Sequence, residues 1–251
     1  GGNGILGSAI IRTLGYANEK YNLNLLIESI SRSGNTEKIS PIDSKPYFFN
    51  TKSDLIDYEF EKDERPIIVI HCASQASPVF YKTDPVGTLM PNMIGTYNLL
   101  KQLKEKNCKS FVFISAGEIY GKYEKGLVDE ESYGPLNPFT LRSCYAESKR
   151  SGEILCNAFF NQFKIPTKVI RLFHTYGIGM SLDDGRVFAD FVKDALEEKK
   201  IVMNSDGKAV RCFCYLSDAI SGILKVTCKG LVNNAYNLAN VDEEISIKDL
   251  A

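Results

Sequence analysis

A doubly wound parallel α/β sheet with a small C-terminal substrate lobe is the fold this sequence predicts, on three observations. Four short runs are apolar almost throughout: 23–30 (LNLLIESI), 66–74 (PIIVIHCAS), 110–115 (SFVFIS) and 167–173 (TKVIRLF). Such continuous runs suit strands covered on both faces. Amphipathic stretches of helical period fall at 92–106, 145–163 and 187–200, and strands alternating with helices build right-handed crossovers and a parallel sheet.

The first element is a turn feeding a helix. The chain opens GGNGILGSAI, with Gly1, Gly4 and Gly7 framing the stretch and an apolar series Ile5, Leu6, Ile10, Ile11 and Leu14 at helical spacing. Glycines there admit backbone dihedrals closed to other residues and let a pyrophosphate approach the amides, while the helix N-terminus supplies partial positive charge. A plain surface loop is the competing reading. A parallel sheet places a strand immediately before such a turn, so the chain is expected to be truncated there. The second element, 23–30, ends in Ser31, Arg32 and Ser33. A dinucleotide site usually has Asp or Glu at this strand end for the ribose hydroxyls, whereas an arginine suits a 2′-phosphate, so NADP stays open beside NAD. Glu28 lies too far back along the strand to serve.

Composition bounds the rest. The 251 residues are 44% hydrophobic, enough for one large core, and 30 basic against 31 acidic residues give a net charge of −1. That balance offers no electrostatic footprint for nucleic acid or an acidic membrane, and no apolar run approaches a membrane span. Seven cysteines and two histidines show no metal-ligand spacing; Cys212 and Cys214 stand in RCFCY, which alternates like a strand. The thiols read as reduced and packed, which fits a cytoplasmic protein.

Tyr145 and Lys149 stand four apart in SCYAESKRSGEIL (143–155). On a helix that spacing puts a phenol and an ammonium on one face, where they form either an ordinary surface pair or the working pair of a cleft. The order of the glycine turn, the strand end ISAGEIYG (114–121) and this pair decides between them. With HCASQASPVFYKTDPVGTLMPNMIGTYNLL (71–100), RLFHTYGIGMSLDDGRVFADFV (171–192) and SDGKAVRCFCYLSDAI (205–220), the chain resembles the nucleotide-sugar epimerases and dehydratases of the extended short-chain dehydrogenase/reductase superfamily, and most closely UDP-glucuronate decarboxylases.

That resemblance implies a Rossmann-type dinucleotide-binding domain over 1–173 and a mainly nucleotide-sugar-binding part over 174–251, with segments returning to the core. It implies that the chain is short at its C-terminus too. It assigns cofactor contacts to Gly1, Gly4, Ile5, Leu6, Gly7, Arg32, Ser33, Asp54, Leu55, Cys72, Ala73 and Ser74, with NAD the favoured cofactor. Tyr145 would take the proton from the sugar C4 hydroxyl, its phenolate favoured by Lys149 and the oxidised nicotinamide. Lys149 would also hold the nicotinamide ribose. Glu118 would face the sugar, and Arg186 and Arg211 would bind the diphosphate.

Oxidation at C4 gives a 4-keto sugar. With a carboxylate at C6 this is a β-keto acid that loses carbon dioxide (a lyase); without one, rotation of the sugar before hydride return inverts C4 (an isomerase). In the related dehydratases an aspartate precedes the glutamate, and here that position is Gly117, which disfavours dehydration. Ala116 stands where the family has Ser or Thr, so Ser115 or a water must supply that hydroxyl, or Tyr145 works alone, or the chemistry is lost; Ala116→Thr is expected to raise kcat. His174 replaces a usual asparagine and reads as structural. The resemblance further implies a UDP-linked substrate and a homodimer. Two other functions stand beside this one: an NADPH-dependent keto-sugar reductase, which Arg32 would suit, and a catalytically silent cofactor-binding relative.

Overall fold

All four apolar runs become parallel strands, and those at 110–115 and 167–173 bury both faces. The computed structural model of residues 1–251 describes the chain except at Asp63, 123–126 and Asn204, and except for the side chain of Pro41. Helix α1 (Ile5–Tyr21) leads into β1 (Ile27–Ser31), α2 (Ser40–Asp43), β2 (Phe48–Lys52) and β3 (Ile67–His71). Next come α3 (Pro78–Thr83), α4 (Pro85–Met90), a π turn (Pro91–Gly95), α5 (Thr96–Leu103) and β4 (Cys108–Ala116). A 3₁₀ turn (Gly117–Tyr120) precedes α6 (Ser143–Phe163), β5 (Thr167–Leu172), β6 (Thr175–Tyr176) and α7 (Val187–Leu196). The chain finishes with β7 (Val210–Cys212), β8 (Cys214–Tyr215), α8 (Leu216–Lys229), β9 (Ala235–Leu238), β10 (Glu244–Ser246) and α9 (Ile247–Leu250).

Strands β3, β4, β5 and β9 pair in that order, all parallel, and β1 and β2 form a second parallel pair. In β4, Phe111 and Phe113 enter a cluster with Leu99, Leu100 and Leu103 of α5 and Cys156 and Phe159 of α6. Val112 and Ile114 enter another with Ala9 and Ile10 of α1 and Leu216, Ile220 and Ile223 of α8. Alternate residues of one strand thus bury against different helix layers, which is the doubly wound arrangement. Between the two sheet segments lies the glycine turn. The Gly1 amine donates to Ile30 O at the end of β1 (2.6 Å), and a Cβ on Gly1 would meet Ala73 N just beyond β3 at 2.5 Å.

Past β5 the chain builds smaller units. Strands β6 and β8 pair in parallel, β7 and β10 antiparallel. Phe191, Phe213 and Ile247 form a core there with Tyr176 and Phe188, while α8 and β9 return to the main sheet.

Element boundaries differ from the sequence reading where side chains intervene. The second element starts at Ile27 rather than 23 because Asn22 and Asn24 take left-handed backbone (φ 51° and 55°) and Asn18 bonds both backbone groups of Leu25. Pro91 has no amide to give a helix, and the pattern at 92–106 opens as a π turn before α5. Helix α7 stops at Leu196, and Glu198 is left-handed (φ 54°). Strand β2 was hidden because only Phe48 of its five residues is fully buried.

Candidate active site

Helix α6 carries Tyr145 and Lys149 one turn apart, both buried (7% and 3% exposed). Lys149 Nζ donates to Ile114 O of β4 (2.6 Å) and lies 5.0 Å from the Phe113 ring centre and 5.7 Å from that of Tyr145. Burial lowers its pKa to about 7, against the opposing charges of Cys72, Glu118 and Glu153. Tyr145 is pushed the other way: burial, then Glu118, then Tyr81 hold its pKa well above the usual value, and Arg186 offsets part of this. Arg186 thus adds a positive field on the phenol, and the Lys149 ammonium stands 5.7 Å from the centre of the same ring.

Tyr81 is the residue the sequence did not reveal. Its ring stacks on Tyr145 (4.9 Å between centres, 18° between planes), with its hydroxyl donating to Ala76 O (2.8 Å). An aromatic in a short helix between prolines has no periodicity to mark it. Ala116 completes this cluster, 3% exposed. The Ser115 hydroxyl is elsewhere: it donates to Glu153 Oε1 (2.5 Å). The structure therefore does not bring Ser115 to Tyr145. Glu118 is exposed on the 3₁₀ turn, and its charge acts on Tyr145, Tyr81 and Lys149.

Asn92 gives α6 its footing. Its Nδ2 donates to Ser148 Oγ and Thr88 O (both 3.0 Å), and Ser148 Oγ donates to Tyr145 O (2.8 Å). The signal for it was Pro91 inside an apolar helical pattern. His71 stays neutral, its pKa lowered by burial to about 3, with Nε2 3.1 Å from Pro91 O.

Around the glycine turn the residues fit a dinucleotide. A Cβ on Gly7 would meet Gly1 O at 2.2 Å, so Gly1 and Gly7 are required by backbone packing. Gly4 is different: a Cβ there would touch only Gly1 O, at 3.4 Å, and the residue is exposed. It is also the N-cap of α1, without a side-chain cap, so the first amides of α1, at Ile5, Leu6 and Gly7, face an open backbone approach. Buried Asn3 Oδ1 and Ser74 Oγ have no hydrogen-bond partner. Ser74 follows Cys72 and Ala73 at the end of β3, and burial raises the Cys72 pKa to about 11.

On the β1 side, Arg32 and Ser33 are exposed, and Ser33 Oγ accepts from Asn3 Nδ2 (2.7 Å). Glu28 accepts from Thr51 Oγ1 (2.5 Å) and Tyr58 Oη (2.8 Å). Asp54 bonds its own loop at Ile56 N. Leu55 sits in the core (7% exposed) and its carbonyl accepts from Asn98 Nδ2 (2.8 Å). Arg186 precedes α7 and pairs with Asp184. Its charge reaches Tyr145 on one side and His174 on the other, where Arg211 also acts. His174 is held neutral by burial and these arginines, with its pKa lowered to about 4. The Arg211 Nη1 donates to Val210 O (2.8 Å). Among the described residues, no group of three His, Cys, Asp or Glu is placed to hold a metal ion.

Residues 1–239 match the model of the NAD dependent epimerase/dehydratase family. The chain belongs to that family. It is 32% identical over 243 residues to UDP-glucuronic acid decarboxylase 6 of Arabidopsis thaliana, covering 97% of this chain and 68% of the relative. It is 35% identical over 175 residues to UDP-glucuronic acid decarboxylase 1 of Xenopus tropicalis, covering 70% of this chain and 41% of the relative. In fold it is similar to UDP-glucuronic acid 4-epimerase from Bacillus cereus in complex with NAD (TM-score 0.82, 24% identity, 99% of this chain and 79% of the other). It is likewise similar to a dTDP-glucose 4,6-dehydratase from Streptomyces venezuelae with NAD bound (TM-score 0.83, 22% identity, 100% and 77%).

Proposed function

We propose that this protein modifies a UDP-linked sugar by transient oxidation at C4 with retained NAD, as a decarboxylase or 4-epimerase of a uronic acid nucleotide. The observation that carries this reading is the buried Tyr145–Lys149 pair under the charge of Glu118, at the end of a parallel sheet whose glycine turn is open at Gly4. Decarboxylase relatives at 32–35% identity support the acidic sugar.

Bound NAD supplies the hydride acceptor and, when oxidised, a positive charge. Ile5, Leu6 and Gly7 would receive its pyrophosphate, and Lys149 its ribose. Tyr145 takes the proton from the C4 hydroxyl and returns it after the sugar has changed. Glu118 faces the sugar, and Arg186 and Arg211, on either side of His174, take the diphosphate in the part formed by 174–251. Gly117 argues against dehydration: a Cβ there would lie 2.7 Å from the Phe173 ring, so the aspartate of the dehydratases has no room.

Val86, Met90, Ile94 and Tyr97 expose an apolar stripe along α4, the π turn and α5 (38–61% exposed), which supports a homodimer through this face. Seven free thiols favour the cytoplasm. No helix among the described residues is long and apolar enough to cross a membrane.

The test is mass spectrometry of products from UDP-glucuronate, UDP-glucose and UDP-N-acetylglucosamine. A pentose nucleotide from UDP-glucuronate identifies a decarboxylase, and a C4 epimer an epimerase. No product from any of the three would sink the proposal. Arg32 favours a second reading, an NADPH-consuming keto-sugar reductase, and stoichiometric NADPH loss would select it.

A further inference from the structure

A chain of polar contacts converges on the 3₁₀ turn that carries Glu118, and none of it touches Tyr145 directly. From α6, Arg150 Nε donates to Ile119 O (2.8 Å), and its Nη2 donates to Gly134 O (2.6 Å). From β5, Arg171 Nη1 donates to Tyr120 Oη (2.9 Å), whose hydroxyl donates to Asn237 Oδ1 of β9 (2.6 Å). Arg171 also pairs with Glu153 of α6 (2.8 Å; side chains 12% and 14% exposed), and Glu153 holds Ser115 next to Ala116. The Tyr120 ring stacks on Phe173 at 6.1 Å, the ring that excludes a side chain at Gly117.

A largely buried ion pair is weak evidence for stability, since apolar replacements of similar volume often fold as well or better. What this pair supplies is fixed geometry. Helix α6 presents Tyr145 and Lys149 in its first two turns and Arg150 and Glu153 just after them. The same rigid helix that carries the pair therefore also grips the turn opposite, through Ile119 O directly and through Glu153, Arg171 and Tyr120 indirectly.

We propose that Arg150, Arg171 and Tyr120 are positioning residues that set Glu118 against Tyr145 and Lys149; this rests on the function proposed above. Burial, then Glu118, then Tyr81 raise the pKa of Tyr145, against Arg186, while Lys149 lies on the same helix and Arg142 acts on Tyr81. A turn that drifts takes Glu118 away and lowers the Tyr145 pKa. Activity that rises with pH as Tyr145 becomes a base then rises at lower pH, while maximal turnover drops because the sugar-facing carboxylate is misplaced.

The experiment compares the full chain with Tyr120→Phe, which keeps the ring on Phe173, and Arg150→Lys. With UDP-glucuronate as probe, each variant is expected to lose kcat by about 10-fold, the scale of a misplaced reacting group. KM and NAD retention should stay near parental, and the rising limb of the pH profile should move to lower pH. Loss of folding alone would lower the active fraction without moving that limb. Amide hydrogen exchange at Gly121, whose N–H closes the turn on Glu118 O (3.1 Å), reads the same effect without turnover. Faster exchange in Tyr120→Phe at an unchanged melting temperature supports the proposal. Unchanged exchange with an unmoved pH limb overturns it, whereas a parent without activity and a variant with faster exchange overturn only the function proposed above.

Discussion

Tyr145 is buried, stacked on another phenol and opposed by Glu118, so at neutral pH it holds its proton until positive charge arrives. Replacing it with Phe keeps the stack on Tyr81 and removes only the reacting oxygen. Tyr145→Phe is expected to retain NAD and nucleotide sugar while turnover falls by at least about 100-fold, as steady-state kinetics would show; undiminished turnover would remove Tyr145 from its role. Ala116 poses the sharper question. Ser115 is committed to Glu153 and leaves the Tyr145 cluster without a serine hydroxyl from this strand end. Ala116→Ser adds one oxygen beside both tyrosines, a smaller demand on a closed site than threonine. It is expected to raise kcat by roughly 10-fold at constant NAD affinity, the value of a hydrogen bond to a reacting oxygen. A flat result would show that no hydroxyl is needed there. At the cofactor's other end, Arg32 is exposed, and its removal to Ala should weaken NADP binding far more than NAD binding by calorimetry; equal weakening would mean that it reads no phosphate.

Helix α6 approaches β4 closely because residue 152 has no side chain: a Cβ there would stand 2.3 Å from Cζ of Phe113. Alanine is the better helix former by about 1 kcal/mol, yet the clash with a fully buried ring should dominate. Gly152→Ala is predicted to lose about 1–3 kcal/mol in urea denaturation, the usual cost of overpacking, and, because Lys149 lies over the same ring, to weaken NAD retention as well; gained stability would show that Phe113 yields freely. Such contacts mark the limit of what sequence can reveal. The four apolar strands, the glycine turn and the Tyr145–Lys149 helix were legible because burial on two faces and helical periodicity write themselves into residue order. Tyr81, the Asn92–Ser148 bond and the path of Ser115 to Glu153 were not. They join side chains 38 to 64 positions apart, through pairings that no local pattern encodes.

Across the whole molecule, buried bases tie stability to pH. His71 and His174 have folded pKa values of about 3 and about 4, below their ordinary 6.5, and Lys149 lies at about 7, below its ordinary 10.5. For each, the unfolded chain binds more protons between the two values, so stability rises with pH across that interval. The histidines act from acid to about pH 6.5 and Lys149 from about 7 to 10. Burial holds the thiols of Cys72, Cys108, Cys144, Cys156, Cys212 and Cys214 above their ordinary 9.0, and Tyr58, Tyr81 and Tyr145 above their ordinary 10.0, so from about pH 9 the unfolded chain loses protons first and stability falls again. Cofactor-free protein should therefore be most stable in mildly alkaline solution. Lys149→Met replaces the buried ammonium with an apolar chain of similar length and should abolish the rise between pH 7 and about 9 while leaving the acid limb in place. Urea midpoints measured at half-unit steps of pH decide it: a variant that keeps the parental alkaline rise would mean that Lys149 is already solvated in the folded state, and that the site it shares with Tyr145 is wetter than its burial implies.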